Sequence, residues 1–408
     1  MRLLVVSQYF WPENFKINDL TSELLDRGHE VTILTGLPNY PKGCIFKQFI
    51  ENKLFYSNFK GAKIIRVPII ARGNNKFTLV LNYLSFAICG SLIGPWKLRG
   101  LKFDAIINFA PSPITAALPG ICIRWFKRTP LILWILDLWP ESLRAVGAIH
   151  SDFILSIIGN IIKFIYKNCD LILVQSKKFV AKVKILDSTK TKVVYFPSWA
   201  EELPNKKSTI PLKNLSSKFF NIMFTGNVGE AQDFETIIDA AEILRKERKI
   251  RWLIVGDGRF ANSVKKEIKK RNLENTIIMF GQHPLEDMPN FIKKADVLLV
   301  SLKKSPIFSL TIPGKIQTYL AAGKPIIGML DGEGARVILE SGAGFVCKAG
   351  DSRELAKIIL HTSLLDSSEL ATMGKKGKVY NKSNFNRDFL ITKLEKICYR
   401  LELKGIQK

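Results

Sequence analysis

The sequence predicts an α/β protein built from two Rossmann-like, doubly wound domains facing each other across a cleft. Three observations carry that prediction. The chain opens on a continuous apolar strand, a helix with one apolar stripe and a second strand, the right-handed unit of parallel sheets covered on both faces. A polar stretch containing Pro204 and Pro211 then breaks the alternation of strands and helices, and strand, glycine turn and helix begin afresh after it. Finally, 408 residues with 47% apolar content suffice for two cores and exclude a largely disordered chain. The expected division is a first domain over 1–198, a linker over 199–217, a second domain over 218–384 and a C-terminal helix over 385–408 that crosses back to the first.

In order, RLLVVSQ is the first strand and YFWPENF its loop. A helix follows with Ile17, Leu20, Leu24 and Leu25 on one stripe; Gly28 closes it, and EVTILT is the second strand. The loop GLPNYPKG comes next, and turn chemistry accounts for Pro12, Pro38 and Pro41. Further strands are expected at Ala62–Val67, Phe103–Phe109, Leu131–Leu136, Leu171–Gln175 and Lys192–Phe196. The Leu131–Leu136 strand runs into LDLWPESL. Ligands collect at strand ends in open α/β sheets, which makes Asp137, Trp139 and Glu141 candidates. Neighbouring carboxylates serve either as acid and base or as helix caps.

Phe77–Trp96 carries no charge over a length that could span a bilayer. Asn82, Ser85, Ser91, two glycines and Pro95 lower its hydrophobicity, and it sits where an α/β domain needs a buried helix. The expectation is a core helix. Phe153–Tyr166 is strongly apolar with Lys163 and Lys167 at its edge, and Lys177, Lys178, Lys182 and Lys184 follow. Such a basic, apolar face suits anionic lipid; a core helix beside a solvated one explains it equally.

The formal net charge of +25 calls for an anionic partner. With no zinc-finger spacing and no aromatic RNP-like strand, nucleic acid is not expected, leaving an anionic membrane surface or phosphorylated substrates. Six cysteines are scattered singly without a C-x-x-C pair, as in a reducing compartment. The apolar part of MRLLVVSQYF is too short for a signal peptide, so the expected location is cytoplasmic.

In the second domain, Gly226 and Gly229 can bring backbone N–H groups close to a diphosphate. Gly256-x-Gly258-x-x-Ala261 fits the dinucleotide fingerprint, but it begins mid-domain and lacks the acidic residue that should end the next strand. The sharpest stretch is Ser309–Gly328, SLTIPGKIQTYLAAGKPIIG. Thr311 can cap a helix, Pro313 suits its first turn, Ile316, Tyr319 and Leu320 recur at helical spacing, and Gly323 ends it. Free N–H groups and the helix dipole favour an anion at its start, where Lys315 adds a full charge.

Pro313, Lys315, Tyr319, Ala321, Gly323, Lys324 and Pro325 match the donor-binding helix of glycosyltransferase family 4, which the chain resembles. These are two-lobed enzymes of GT-B type. The opening segment and GLPNYPKG resemble, more narrowly, the fucosamine transferases of bacterial O-antigen and capsule synthesis. The resemblance implies a diphosphate site of Gly226, Asn227, Gly229, Gln232 and Lys315, with Gln317 and Thr318 at the ribose and Gly281 and Gln282 at the base. It places Thr311, Ile312, Pro313, Asn14 and Lys16 near the donor sugar and Asn39, Tyr40 and Trp139 near the acceptor, with Asp137 and Lys315 as catalytic residues. Departures are plain: Leu310 and Thr318 stand where many relatives carry glutamates, Asn227 and Gln232 where an arginine and a lysine are usual, Leu136 where a histidine is common, and Asn14 and Lys16 where many have a glycine pair.

The implied reaction is retaining hexosyl transfer of an N-acetyl-fucosamine-type deoxyamino sugar. The donor is a UDP-sugar, and the acceptor is an undecaprenyl-diphosphate-linked saccharide at the anionic inner face of the plasma membrane. Without an Asp-x-Asp pair, neither metal nor other cofactor is expected. Two alternatives stand: a UDP-sugar epimerase of the same two-lobed fold, and a non-catalytic basic protein that docks on membranes and binds a nucleotide.

Overall fold

The computed structural model describes residues 1–145, 149, 151–186, 191–200, 218–247 and 249–406. It divides into two compact units, one formed by Met1–Phe196 with the C-terminal segment from Asp388, the other by Pro197–Arg387. Of the expected linker 199–217, residues 201–217 lie outside the described residues.

The first unit holds an eight-stranded sheet: β1 (Arg2–Ser7), β2 (Glu30–Thr35), β3 (Asn58–Phe59), β4 (Ala62–Arg66), β5 (Ala105–Ala110), β6 (Leu131–Ile135), β7 (Leu171–Val174) and β8 (Lys192–Tyr195). Their spatial order is β3-β4-β2-β1-β5-β6-β7-β8, parallel throughout except for the short β3–β4 pair. Every residue of β5, β6 and β7 is buried, as expected of unbroken apolar runs covered on both faces. The order reverses between β1 and β5, so the carboxyl ends of these two strands border the crevice where such sheets bind ligands. The C-terminal helix Arg387–Ile406 joins this unit, with Arg27 and His29 reaching Glu395 at 2.9 and 2.7 Å and Lys393 Nζ donating to the Tyr195 carbonyl at 2.8 Å.

The second unit holds six parallel strands: β9 (Phe220–Thr225), β10 (Ile250–Val255), β11 (Ile277–Gly281), β12 (Val297–Ser301), β13 (Ile326–Met329) and β14 (Gly344–Cys347). The order β11-β10-β9-β12-β13-β14 is that of a doubly wound nucleotide-binding sheet, with its reversal between β9 and β12. Alternation along β9 feeds two cores: Ile222 and Phe224 pack with Trp252 on one face, and Met223 packs with Leu253, Phe291 and Tyr319 on the other.

One expectation is corrected. The Phe77–Trp96 stretch is helical (Lys76–Lys97), but it is not a core helix. Its buried face is narrow and largely small or polar: Asn82, Phe86, Ala87, Gly90 and Gly94. A Cβ on Gly90 would come within 2.6 Å of Pro119, and one on Gly94 within 2.9 Å of Leu34. These glycines let the backbone approach its neighbours closely, while Phe77, Leu84, Ile88, Leu92 and Trp96 point outward.

Candidate functional site

The carboxyl end of β9 is built from glycines. Gly226, Gly256 and Gly281 close β9, β10 and β11 with φ of +117°, +148° and +75°. A Cβ on Gly256 would sit 1.9 Å from the Gly226 carbonyl oxygen, and one on Gly258 would sit 2.4 Å from that of Val228. The Gly256-x-Gly258 spacing therefore serves the stacking of two adjacent strand ends. In the loop after β9, Asn227 is exposed, and Gly229 donates its N–H to Oε1 of Gln232 at 3.1 Å. Gln282, beyond Gly281, is exposed.

Beside this rim starts the helix Gly314–Ala322, which has no side-chain cap. The expected cap, Thr311, instead donates its hydroxyl to the Phe308 carbonyl at 2.9 Å, because it closes the preceding 3-10 turn. The opening N–H groups of the helix are thus left without a side-chain acceptor. Ile312 is buried and Pro313 partly so. Tyr319 pins the helix to β9: its hydroxyl accepts the Thr225 N–H at 3.0 Å and lies 3.0 Å from the Thr225 hydroxyl.

Lys315 runs over Gly226, its Cε only 3.0 Å from where a Cβ there would stand, and its ammonium lies 3.5 Å from the centroid of the Phe224 ring. Desolvation pushes its pKa down to about 7. A lysine so placed regains its charge most readily when an anion arrives.

Thr318, one turn on from Lys315, is partly exposed and bonds the Gly314 carbonyl at 3.3 Å. Gln317 does not share that face. It is 2% exposed, and its amide nitrogen, in the orientation that satisfies both ends of the group, donates to Pro313 and Gly314 carbonyls at 3.0 Å each. Residues two apart on a helix point about 200° apart, so Lys315 and Gln317, both expected at the donor, face opposite ways.

At the carboxyl end of β1 the loop contains Glu13, 2% exposed. Its Oε1 accepts the N–H groups of Asn39 (2.8 Å) and Tyr40 (2.7 Å), and its Oε2 accepts that of Phe10 (3.2 Å). Burial pushes its pKa up to about 7 against the pull of these donors. Arg66 stitches the same loops together, donating to the carbonyls of Gly36 (2.8 Å) and Trp11 (2.6 Å). Asn82, from the otherwise apolar helix, accepts from Gln8 at 2.7 Å and Tyr9 at 3.2 Å and donates to the Ile70 carbonyl at 2.6 Å.

Asn39, expected near an acceptor, is fully buried. Its side chain donates to the Leu37 carbonyl and accepts the Arg72 N–H, both at 2.9 Å, so it positions the loop. Tyr40 is partly exposed beside Phe15 and under Arg72, Asn14 is exposed, and Lys16 opens the helix Lys16–Asp26. Asp137 accepts from the Trp139 indole (3.2 Å) and the Ser142 hydroxyl (3.1 Å) just before the short helix Glu141–Ala145, and burial raises its pKa. Sequence pattern singles out neither Glu13 nor Arg66, whose partners are backbone groups of another loop; the one signal is an acid set among aromatics in YFWPENF. Among the described residues no three His, Cys, Asp or Glu side chains gather as a metal site requires.

Residues 220–363 match the family described as glycosyl transferases group 1. The chain is 29% identical over 284 residues to the probable glycosyltransferase WbjE of Pseudomonas aeruginosa, covering 67% of this chain and 69% of that protein. It is 25% identical over 340 residues to the putative colanic acid biosynthesis glycosyl transferase WcaI of Escherichia coli K12, covering 79% and 82%. In three dimensions it is similar to the sucrose-phosphate synthase of Thermosynechococcus elongatus (TM-score 0.74, 14% identity, 98% of each chain). Anabaena HepE in complex with UDP and glucose gives a TM-score of 0.67 at 16% identity, covering 98% of this chain and 100% of that one. The second unit carries a glycosyl transferases group 1 domain, and the fold is that of the two-lobed GT-B class.

Proposed function

We propose that the protein transfers a hexose, an N-acetyl-fucosamine-type deoxyamino sugar, from a UDP-sugar to an undecaprenyl-diphosphate-linked saccharide in bacterial surface-polysaccharide synthesis, with retention of anomeric configuration. The observation that carries the reading is the desolvated Lys315 over Gly226 at an uncapped helix start. The names of WbjE and WcaI support the polysaccharide context, and the UDP in HepE supports the nucleotide.

The donor diphosphate lies across the Gly226–Gly229 turn, with the N–H groups of Gly314 and Lys315 and the Lys315 ammonium as its donors. As the sugar–phosphate bond lengthens, the sugar becomes oxocarbenium-like and charge grows on the leaving diphosphate; those groups stabilise it where it grows. The acceptor hydroxyl attacks on the leaving-group face, so no protein nucleophile is needed. Asp137, with its raised pKa, is the carboxylate in the first unit assigned to the acceptor proton. Because the helix start and the ammonium that Lys315 regains on binding neutralise the diphosphate, the reaction needs no divalent cation. Thr318 bonds the ribose, Gln282 lies at the base, and the enzyme works at the cytoplasmic face of the inner membrane.

Incubating the purified protein with labelled nucleotide sugars and a lipid-linked saccharide tests this. Transfer to the lipid supports the proposal. Interconversion of the sugar without transfer would make the protein an epimerase, and nucleotide binding without turnover a non-catalytic binder.

A further inference from the structure

The helix Lys76–Lys97 is turned inside out relative to an ordinary surface helix. Phe77, Leu84, Ile88, Leu92 and Trp96 form one outward stripe, and Leu92 is 73% exposed. This stripe has neighbours. Right-handed crossovers between parallel strands put this helix, Leu118–Lys127 and Asp152–Lys167 on one face of the first unit's sheet. Trp125 and Phe126 stand exposed on the second helix, and Trp125 meets Phe164 of the third at 6.1 Å between centroids. Phe153 and Ile157 extend the apolar surface along that third helix. Scattered exposed apolar residues need no explanation; a layer three helices wide does.

Charge at its margin identifies the occupant. Residues 76–128 contain seven Lys and Arg against one acid, Asp104, which is paired with Arg2. Lys127 donates to the Leu98 and Leu101 carbonyls at 2.9 and 2.8 Å, so the ends of the first two helices lie together. Lys97, Arg99, Lys102 and Arg128 therefore gather at one border of the apolar layer, with Arg99 stacked 4.6 Å over the ring of Trp96. Nearby is a cavity of about 500 Å³ walled by Leu37, Ile45, Phe49 and Ile64, with Lys53 and Lys97 at its rim. Apolar walls beneath cations fit an acyl chain with an anionic head, whereas a second copy of the chain would bring a like-charged border against this one.

We infer that the outward face of these three helices docks on an anionic phospholipid bilayer, with the Lys76–Lys97 helix lying in the plane of the interface. The helix does not cross the bilayer, because Asn82 on its inner face is bonded to Gln8 and the Ile70 carbonyl within the sheet domain. Tryptophans at the border and lysines beyond it match the layering of a membrane surface. The inference stands on this geometry independently of the reaction.

Flotation of the full chain with vesicles tests it without any turnover, so its failure is distinct from a failure of the proposed transfer. The chain binds phosphatidylglycerol-containing vesicles, binds purely zwitterionic ones weakly, and is released by salt. Ile88→Glu with Leu92→Glu, both at exposed positions, lowers the bound fraction about tenfold or more with the circular dichroism unchanged. Lys163→Glu with Lys167→Glu weakens binding to anionic vesicles only. Equal binding by wild type and the Ile88/Leu92 variant would overturn the inference. So would resistance to alkaline carbonate extraction, which marks a span, or a dimer lost in that variant by a chain that binds no vesicles.

Discussion

The carboxyl ends of β1 and β9 occupy the same place in two sheets and do opposite things with it. At β1, backbone N–H groups of Phe10, Asn39 and Tyr40 converge on an acceptor the chain itself supplies, the Glu13 carboxyl. At β9, a glycine rim, an uncapped helix start and a desolvated lysine converge on a place where, among the described residues, no carboxylate acts on that lysine. One end has spent its donors on holding two loops still; at the other the glycine-turn N–H groups are bonded within the protein, and the helix start with Lys315 is what the proposed site offers a ligand. Strand-end geometry alone does not make a binding site: what matters is whether the polar groups gathered there are already satisfied.

The largest expected effect falls on the open end. Lys315→Ala lowers kcat/KM about 10²–10³-fold, the usual consequence of removing a donor to developing charge, with the fold intact. At the closed end the loss falls on stability instead: Glu13→Ala leaves buried N–H groups without their acceptor and costs about 1–3 kcal/mol in denaturant unfolding, while donor affinity is nearly unchanged. A change in donor affinity comparable to that of Lys315→Ala would erase the distinction between the two ends.

Acidity sharpens it. With its pKa lowered to about 7, Lys315 is mostly neutral above that pH in the free protein and must take up a proton as a diphosphate binds. Donor affinity therefore falls as pH rises, by about tenfold between pH 7 and 8.5, and constant affinity over that range would show that the ammonium is not the contact. Smaller still is Thr318→Ala, which removes one neutral hydrogen bond worth about 0.5–1.5 kcal/mol; a loss exceeding that of Lys315→Ala would invert the ranking of contacts. Least of all is chelation, under which transfer keeps more than about half its rate because the helix start and the Lys315 ammonium formed on binding neutralise the diphosphate. Activity abolished by chelator and restored by Mg²⁺ would contradict that account of the diphosphate.

Much of the fold was legible because buried parallel strands are unbroken apolar runs: Ala62–Arg66 and Leu131–Ile135 start where the pattern puts them and end one residue earlier. The place of Lys315 in the first turn of a helix was legible from Pro313 before it. Glu13 was not, since its partners lie 26 and 27 residues away and are backbone groups that carry no sequence signature. Gln317 and Thr318 are adjacent in sequence but about 100° apart on the helix, so choosing between them needed the helix's true orientation. The Lys76–Lys97 helix misled for a different reason. Hydrophobicity normally reports which face is inside, and here glycines and an asparagine share the inside with Phe86 while Phe77, Leu84, Ile88, Leu92 and Trp96 face out.

Calorimetric titration with UDP at pH 8, repeated in buffers of different ionisation enthalpy, tests the central claim most directly. Wild type should bind with net proton uptake, seen as a heat that varies with the buffer. Lys315→Met should bind at least about tenfold more weakly, with no such variation. Equal affinities, and a heat independent of buffer in both proteins, would contradict the account of β9 as the end that waits for an anion.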